Sequence, residues 1–105
     1  MSDEDAAQAI RAGVVFIPDD AKWADFAAIR FAREPDPPAG LDAWTYRQRL
    51  AFRQAGLFVA WLRRQSPEAF LRLLRDLEHG AEFENAFERS FDGRWNNYWR
   101  SFIEK

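Results

Sequence analysis

The sequence has no cysteine and a single histidine, His79. Without cysteine there is no disulfide, no thiol nucleophile and no thiolate zinc site. With one histidine, a site that needs two imidazoles from one chain cannot form. Glycine is sparse: the five stand apart at positions 13, 40, 56, 80 and 93, so no glycine-rich loop can cradle a phosphate. Long apolar runs are missing too. No window approaches the roughly 20 apolar residues that cross a bilayer. The opening residues, Met1-Ser2-Asp3-Glu4-Asp5, are acidic where a secretory signal would be basic and then apolar. These absences lead to the expectation of a cytoplasmic protein with no membrane partner.

The chain has 105 residues, 48% of them hydrophobic and 30% charged, a balance typical of folded domains and unlike that of disordered chains. Its length suits one domain, 1–105. The aromatic share is high, with ten Phe, five Trp and two Tyr, and bulky rings help a small core suffice. Charge is uneven. Residues 1–43 hold nine acids and four bases, a balance of −5, whereas residues 44–105 hold eleven bases and eight acids, a balance of +3. The simplest reading is that an acidic and a basic half attract each other within one fold. The sequence pI of about 5.4 argues against a nucleic-acid partner.

Along the chain, residues 1–5 read as a frayed end and Ala6–Ala12 as a short helix stopped by Gly13. Val14-Val15-Phe16-Ile17, between Gly13 and Pro18, reads as at most one short strand, and no partner strand is evident. Asp20 can cap a helix to about Arg33, with Trp23, Phe26 and Ala27 at i, i+3 and i+4. Pro35, Pro37, Pro38 and Gly40 break regular structure, so 35–40 reads as a linker between an acidic part, 1–40, and a helical part, 41–105.

From Asp42, a candidate N-cap, the pattern is helical to about Gln65, with Leu50, Leu57, Phe58, Trp61 and Leu62 on one face. Gly56 inside that helix suggests a close helix contact. Ser66-Pro67-Glu68 is a helix start, and the helix that follows carries Phe70, Leu71, Leu73, Leu74 and Leu77 up to Gly80, with Leu74 expected in the core alongside Trp61. Phe83, Ala86, Phe87 and Phe91 define a further helix, Asp92-Gly93 a turn, and Trp95, Trp99, Phe102 and Ile103 the inward face of the last helix. The fold expected is mainly α, a compact array of four to five helices.

Candidate chemistry is thin. His79 has Glu78, Glu82 and Glu84 near it in sequence, but Gly80 ends the helix between them, and a histidine in a last turn suits a helix terminus. Asp19, Asp20 and Asp25 sit where a helix start favours acids for local reasons. Ser66 and Ser90 have no histidine nearby to activate them. No catalytic, cofactor or metal residue is assigned. Trp44, Tyr46 and Tyr98 are the aromatics that fit least well into a core, and they are the candidates for an interaction surface.

The second half of the chain has a family look. The residues that carry it are the run Ala51–Leu62, then Ser66-Pro67-Glu68-Ala69-Phe70, Leu73-Leu74, Gly80, Phe83-Glu84-Asn85-Ala86-Phe87, Phe91 and Trp99. This pattern, over about residues 50–103, resembles the C-terminal helical subdomain of gluzincin zinc metallopeptidases, the peptidase MA-like group. The resemblance implies a helical fold for this half. The zinc and the general base of that family come from a His-Glu-x-x-His helix. This sequence lacks it, so the resemblance transfers no catalytic or metal residue. The function expected is a non-catalytic helical module acting through a protein partner or self-association. The alternative is a metallopeptidase-like tail whose zinc site lies outside this sequence.

Overall fold

Short polar side chains cap the starts of the first three helices. The computed structural model describes residues 1–17 and 30–104. Ser2 caps α1 (Asp3–Arg11) through a capping box. Its hydroxyl accepts the Asp5 amide at 3.1 Å, and the Asp5 carboxylate accepts the Ser2 amide at 3.2 Å. Two of the otherwise orphaned amides of the first turn are thereby satisfied, so the first residues are helical and not frayed. Asp42 caps α2 (Ala43–Gln65), accepting the Thr45 amide at 2.9 Å and the Thr45 hydroxyl at 2.8 Å. Ser66 caps α3 (Pro67–Glu78) by accepting the Ala69 amide at 3.2 Å, with Pro67 in the first turn, where its missing N–H costs nothing. α4 (Phe83–Phe91) and α5 (Trp95–Glu104) follow after short turns. Among the described residues the fold is therefore mainly α, with five helices. The expected helix from Asp20, with Trp23, Phe26 and Ala27, lies outside the described residues except at its end. There, Arg30–Arg33 are not helical.

Contacts group the chain into two units, Met1–Leu57 and Phe58–Lys105. The division falls inside α2, and the proline-rich residues 35–40 belong wholly to the first unit.

In the first unit the extended segment 14–17 finds hydrogen-bond partners along both edges. Backbone groups of a strand alternate sides with a period of two. On one side, Phe16 and Phe31 form an antiparallel bridge: the Ile17 amide donates to the Arg30 carbonyl at 2.8 Å, and the Ala32 amide donates to the Val15 carbonyl at 2.9 Å. On the other side stands Gln54 of α2, wholly buried. Its Oε1 accepts the Phe16 amide at 3.1 Å and its Nε2 donates to the Val14 carbonyl at 2.8 Å. The partner missing from the sequence reading is thus supplied by residues 30–32 and by one side-chain amide. The acidic start and the basic part of α2 also meet here, through Arg53 with Asp3 at 3.3 Å and Arg47 with Glu34. Arg47 lies 5.0 Å over the Phe31 ring.

The second unit is built on rings. Phe58 meets Trp99 edge-on at 5.1 Å and Phe102 at 5.5 Å. Phe87 stacks on Phe91 at 4.7 Å. α3 packs on α4, and α4 on α5. Two expectations are corrected here. Leu74 is not core: it is 41% exposed, because α3 buries Ala69 and Leu73, half-buries Phe70 and leaves Leu71, Leu74 and Leu77 facing outward. Gly56, at the end of the first unit, makes no close contact: a Cβ built there meets nothing within 4 Å among the described residues.

Three outcomes follow from this packing. Gln54→Leu leaves the Phe16 amide and the Val14 carbonyl without partners. At about 1–3 kcal/mol for each lost partner, the variant loses about 2–6 kcal/mol in denaturant unfolding. Gln54→Glu loses stability too, since it keeps an acceptor but no donor for Val14. Gly56→Ala, in open helical space, stabilises by up to about 1 kcal/mol, and a fall in stability would show a hidden contact. Finally, the Thr45 amide, and then the Thr45 hydroxyl, hold the Asp42 carboxyl below its ordinary value. A depressed folded-state value gives stability that is present above the unfolded value, roughly 3.9, and is lost as pH falls through the folded one. The melting-temperature advantage of the native protein over Asp42→Asn therefore shrinks as pH is lowered from 6 toward 2.

Candidate functional site

The three suspected aromatics have different fates. Trp44 stands in the first turn of α2 and is 52% exposed. Tyr46, one residue beyond the Asp42–Thr45 cap, is half-buried and lines a cleft in the first unit. Tyr98, in the second unit, is half-buried and committed. Its hydroxyl donates to the Phe91 carbonyl at 2.6 Å, and its ring meets Phe87, Phe91 and Trp61 edge-on. That bond satisfies a carbonyl at the end of α4, next to Asp92 in the left-handed conformation at φ 57°. The Tyr98 ring also lies within 3.2 Å of where a Cβ on Gly93 would sit, which explains a glycine in that turn. Tyr98 is thus a tether between α5 and the end of α4.

His79 is a helix end. It is the C-cap residue of α3, and its Nδ1 lies 2.6 Å from the Arg75 carbonyl. A carbonyl can only accept, so Nδ1 carries the proton. That ties down one ring nitrogen and leaves His79 exposed at the terminus. Among the described residues no group of three or more His, Asp and Glu is arranged to hold a metal ion. Asp19, Asp20 and Asp25 lie outside the described residues. Ser90 is buried with its Oγ unpartnered among the described residues, while its carbonyl accepts from Arg72 at 3.0 Å.

A distinctive surface includes Leu74, which was expected in the core. On α3, Leu71, Leu74 and Leu77 are 48%, 41% and 36% exposed, and Phe83, which opens α4, is 39% exposed. At 3.6 residues per turn, Ala69, Phe70, Leu71, Leu73, Leu74 and Leu77 cover roughly half of the helix circumference. Only the Ala69–Leu73 side is buried. The result is an exposed leucine strip at i, i+3 and i+6. Beyond its C-terminal end come Glu78, Glu82 and Glu84, all exposed and without ion pairs among the described residues. Glu82 occupies the N-cap position of α4, yet its carboxylate caps nothing.

The cleft in the first unit has a volume of about 720 Å³. Its walls are α1, residues 33–41 and the first turns of α2, with Val14, Pro38 and Leu41 as apolar lining. No helix among the described residues is long and apolar enough to cross a membrane.

No family model, no curated protein and no solved structure matches the chain. The resemblance of residues 50–103 to gluzincin tails therefore rests on their packing residues alone.

Proposed function

We propose that the protein is a non-catalytic helical module that works by protein–protein contact, with the leucine strip of α3 as its docking face. The observation that carries this reading is the exposure of Leu71, Leu74 and Leu77 together. Single exposed leucines are ordinary, but several on one helix face are the pattern by which a helix receives another apolar surface.

The occupant is an amphipathic helix of a partner protein, apolar on one face and basic at one end. Its apolar face covers the strip. Its basic end meets Glu78, Glu82 and Glu84, which make no ion pair among the described residues. Charge complementarity of this kind sets the direction of the incoming helix and speeds its arrival more than it adds affinity. In this reading neither His79 nor any acid carries a chemical step.

The test uses two designed helical peptides that share a leucine face, one flanked by lysines and one by glutamates. Titrated into the full chain labelled at leucine methyls, the basic peptide should shift Leu71, Leu74 and Leu77 saturably, and the acidic peptide should bind at least tenfold more weakly. Leu74→Glu should abolish binding while the variant still unfolds in one cooperative transition, because a large part of that side chain already faces water. Shifts confined to other residues would overturn the proposal. So would concentration-dependent dimers that Leu74→Glu breaks, since a second copy would then be the occupant.

A further inference from the structure

The cleft in the first unit is independent of the α3 strip and has a different chemistry. Its polar lining is Asp5, Gln8, Arg33, Glu34, Asp36, Tyr46 and Arg49, and three of these are donors suited to an anion. Tyr46 and Arg49 stand at i and i+3 on α2 and so share one helix face. Arg33 comes from the opposite wall, where one N–H of its guanidinium donates to the Ala12 carbonyl at 3.4 Å. The Arg49 guanidinium and the Tyr46 hydroxyl make no ion pair or hydrogen bond among the described residues.

Of the carboxylates around the cleft, Glu34 pairs with Arg47. Asp5 stays anionic in the Ser2 capping box and Asp36 makes no ion pair among the described residues, so two arginines face two unpaired acids. Between them lie Val14, Pro38 and Leu41. Concave sites of roughly 300–1,000 Å³ with an apolar lining and a few convergent polar groups are the usual form of a small-molecule site. Planar guanidinium forks match a carboxylate with two parallel hydrogen bonds.

We infer that this cleft binds a small organic carboxylate with an apolar body, its carboxylate taken by Arg33, Arg49 and the Tyr46 hydroxyl and its body laid on Val14, Pro38 and Leu41. A bare anion would use only half of the site.

Phenylacetate, acetate and inorganic phosphate are the probes, titrated into the full chain and followed by the Tyr46 ring and Val14 methyl resonances. Phenylacetate should shift both saturably, with acetate and phosphate at least tenfold weaker. Arg49→Gln and Arg33→Gln should each weaken phenylacetate at least tenfold while the melting temperature stays near native, since both side chains are exposed. Tyr46→Phe should weaken it less. Equal binding of all three probes would show a general attraction for anions and overturn the inference. Unchanged phenylacetate affinity in both arginine variants, or no saturable shift at all, would overturn it too. Each of these results leaves the α3 docking face untouched, because the probes and the readouts lie in the other unit.

Discussion

The first unit depends on one primary amide. Gln54 offers both a donor and an acceptor, at the right separation, to the inner edge of residues 14–16. The constraint is physical. An α-helix spends its interior backbone groups on itself and has none to give to an extended neighbour. When an extended segment is buried against a helix, its inward amide and carbonyl would be left dry, at a cost that exceeds what most single contacts return. A glutamine solves this because its amide reproduces a peptide group at the end of two methylenes. Glutamate lacks the donor, lysine the acceptor, and asparagine is one methylene shorter. The outer edge of the segment is then free to bridge Phe31. Phe16, wholly buried between the two edges, becomes the centre of the unit's core.

The second unit solves the same problem of a small core by other means. Its partners are all helices, so backbone groups are satisfied locally, and the remaining task is to fill space and close helix ends. Phe58, Phe87, Phe91, Trp99 and Phe102 fill the space, in stacked and edge-on pairs that add to simple burial. Tyr98 and Arg72 close the ends, donating to the Phe91 and Ser90 carbonyls at the finish of α4. One ring and one guanidinium therefore fix where α4 stops, and Gly93 leaves room for the ring that does it.

How much of this could be read in the sequence follows from the range of each interaction. Asp42, Ser66 and Pro67 act within one turn, and the starts of α2 and α3 were legible from them. Gly80 and Asp92-Gly93 marked the stops in the same way. The capping box at Ser2 was just as local, but the Ser–x–x–Asp pattern was passed over because chain ends so often fray. Gln54 acts across 38 residues. Its only trace in the sequence is a polar residue set at i+4 from Leu50 and i−4 from Phe58, inside an otherwise apolar face. Tyr98 was suspected because it fits a core poorly. It is half-buried, but a distant carbonyl takes its hydroxyl.

The α3 strip shows why periodicity alone cannot separate a core from a contact surface. A helix with a narrow apolar stripe can bury it in only one way. α3 has an arc of about half its circumference, and its own chain covers only the part occupied by the small Ala69 and by Leu73. Both halves of the arc look alike in sequence, because side chains at i+3 and i+4 recur whether the neighbour is internal or external. The exposed half adds little to the fold, yet it leaves apolar surface in water at roughly 25 cal/mol for each Å² that a partner could cover. Leucines that their own chain leaves partly in water still carry free energy of association, and the carboxylates beyond them give that energy a direction. The exposed part of the α3 arc is thus a helix surface that folding leaves in water and that binding can cover.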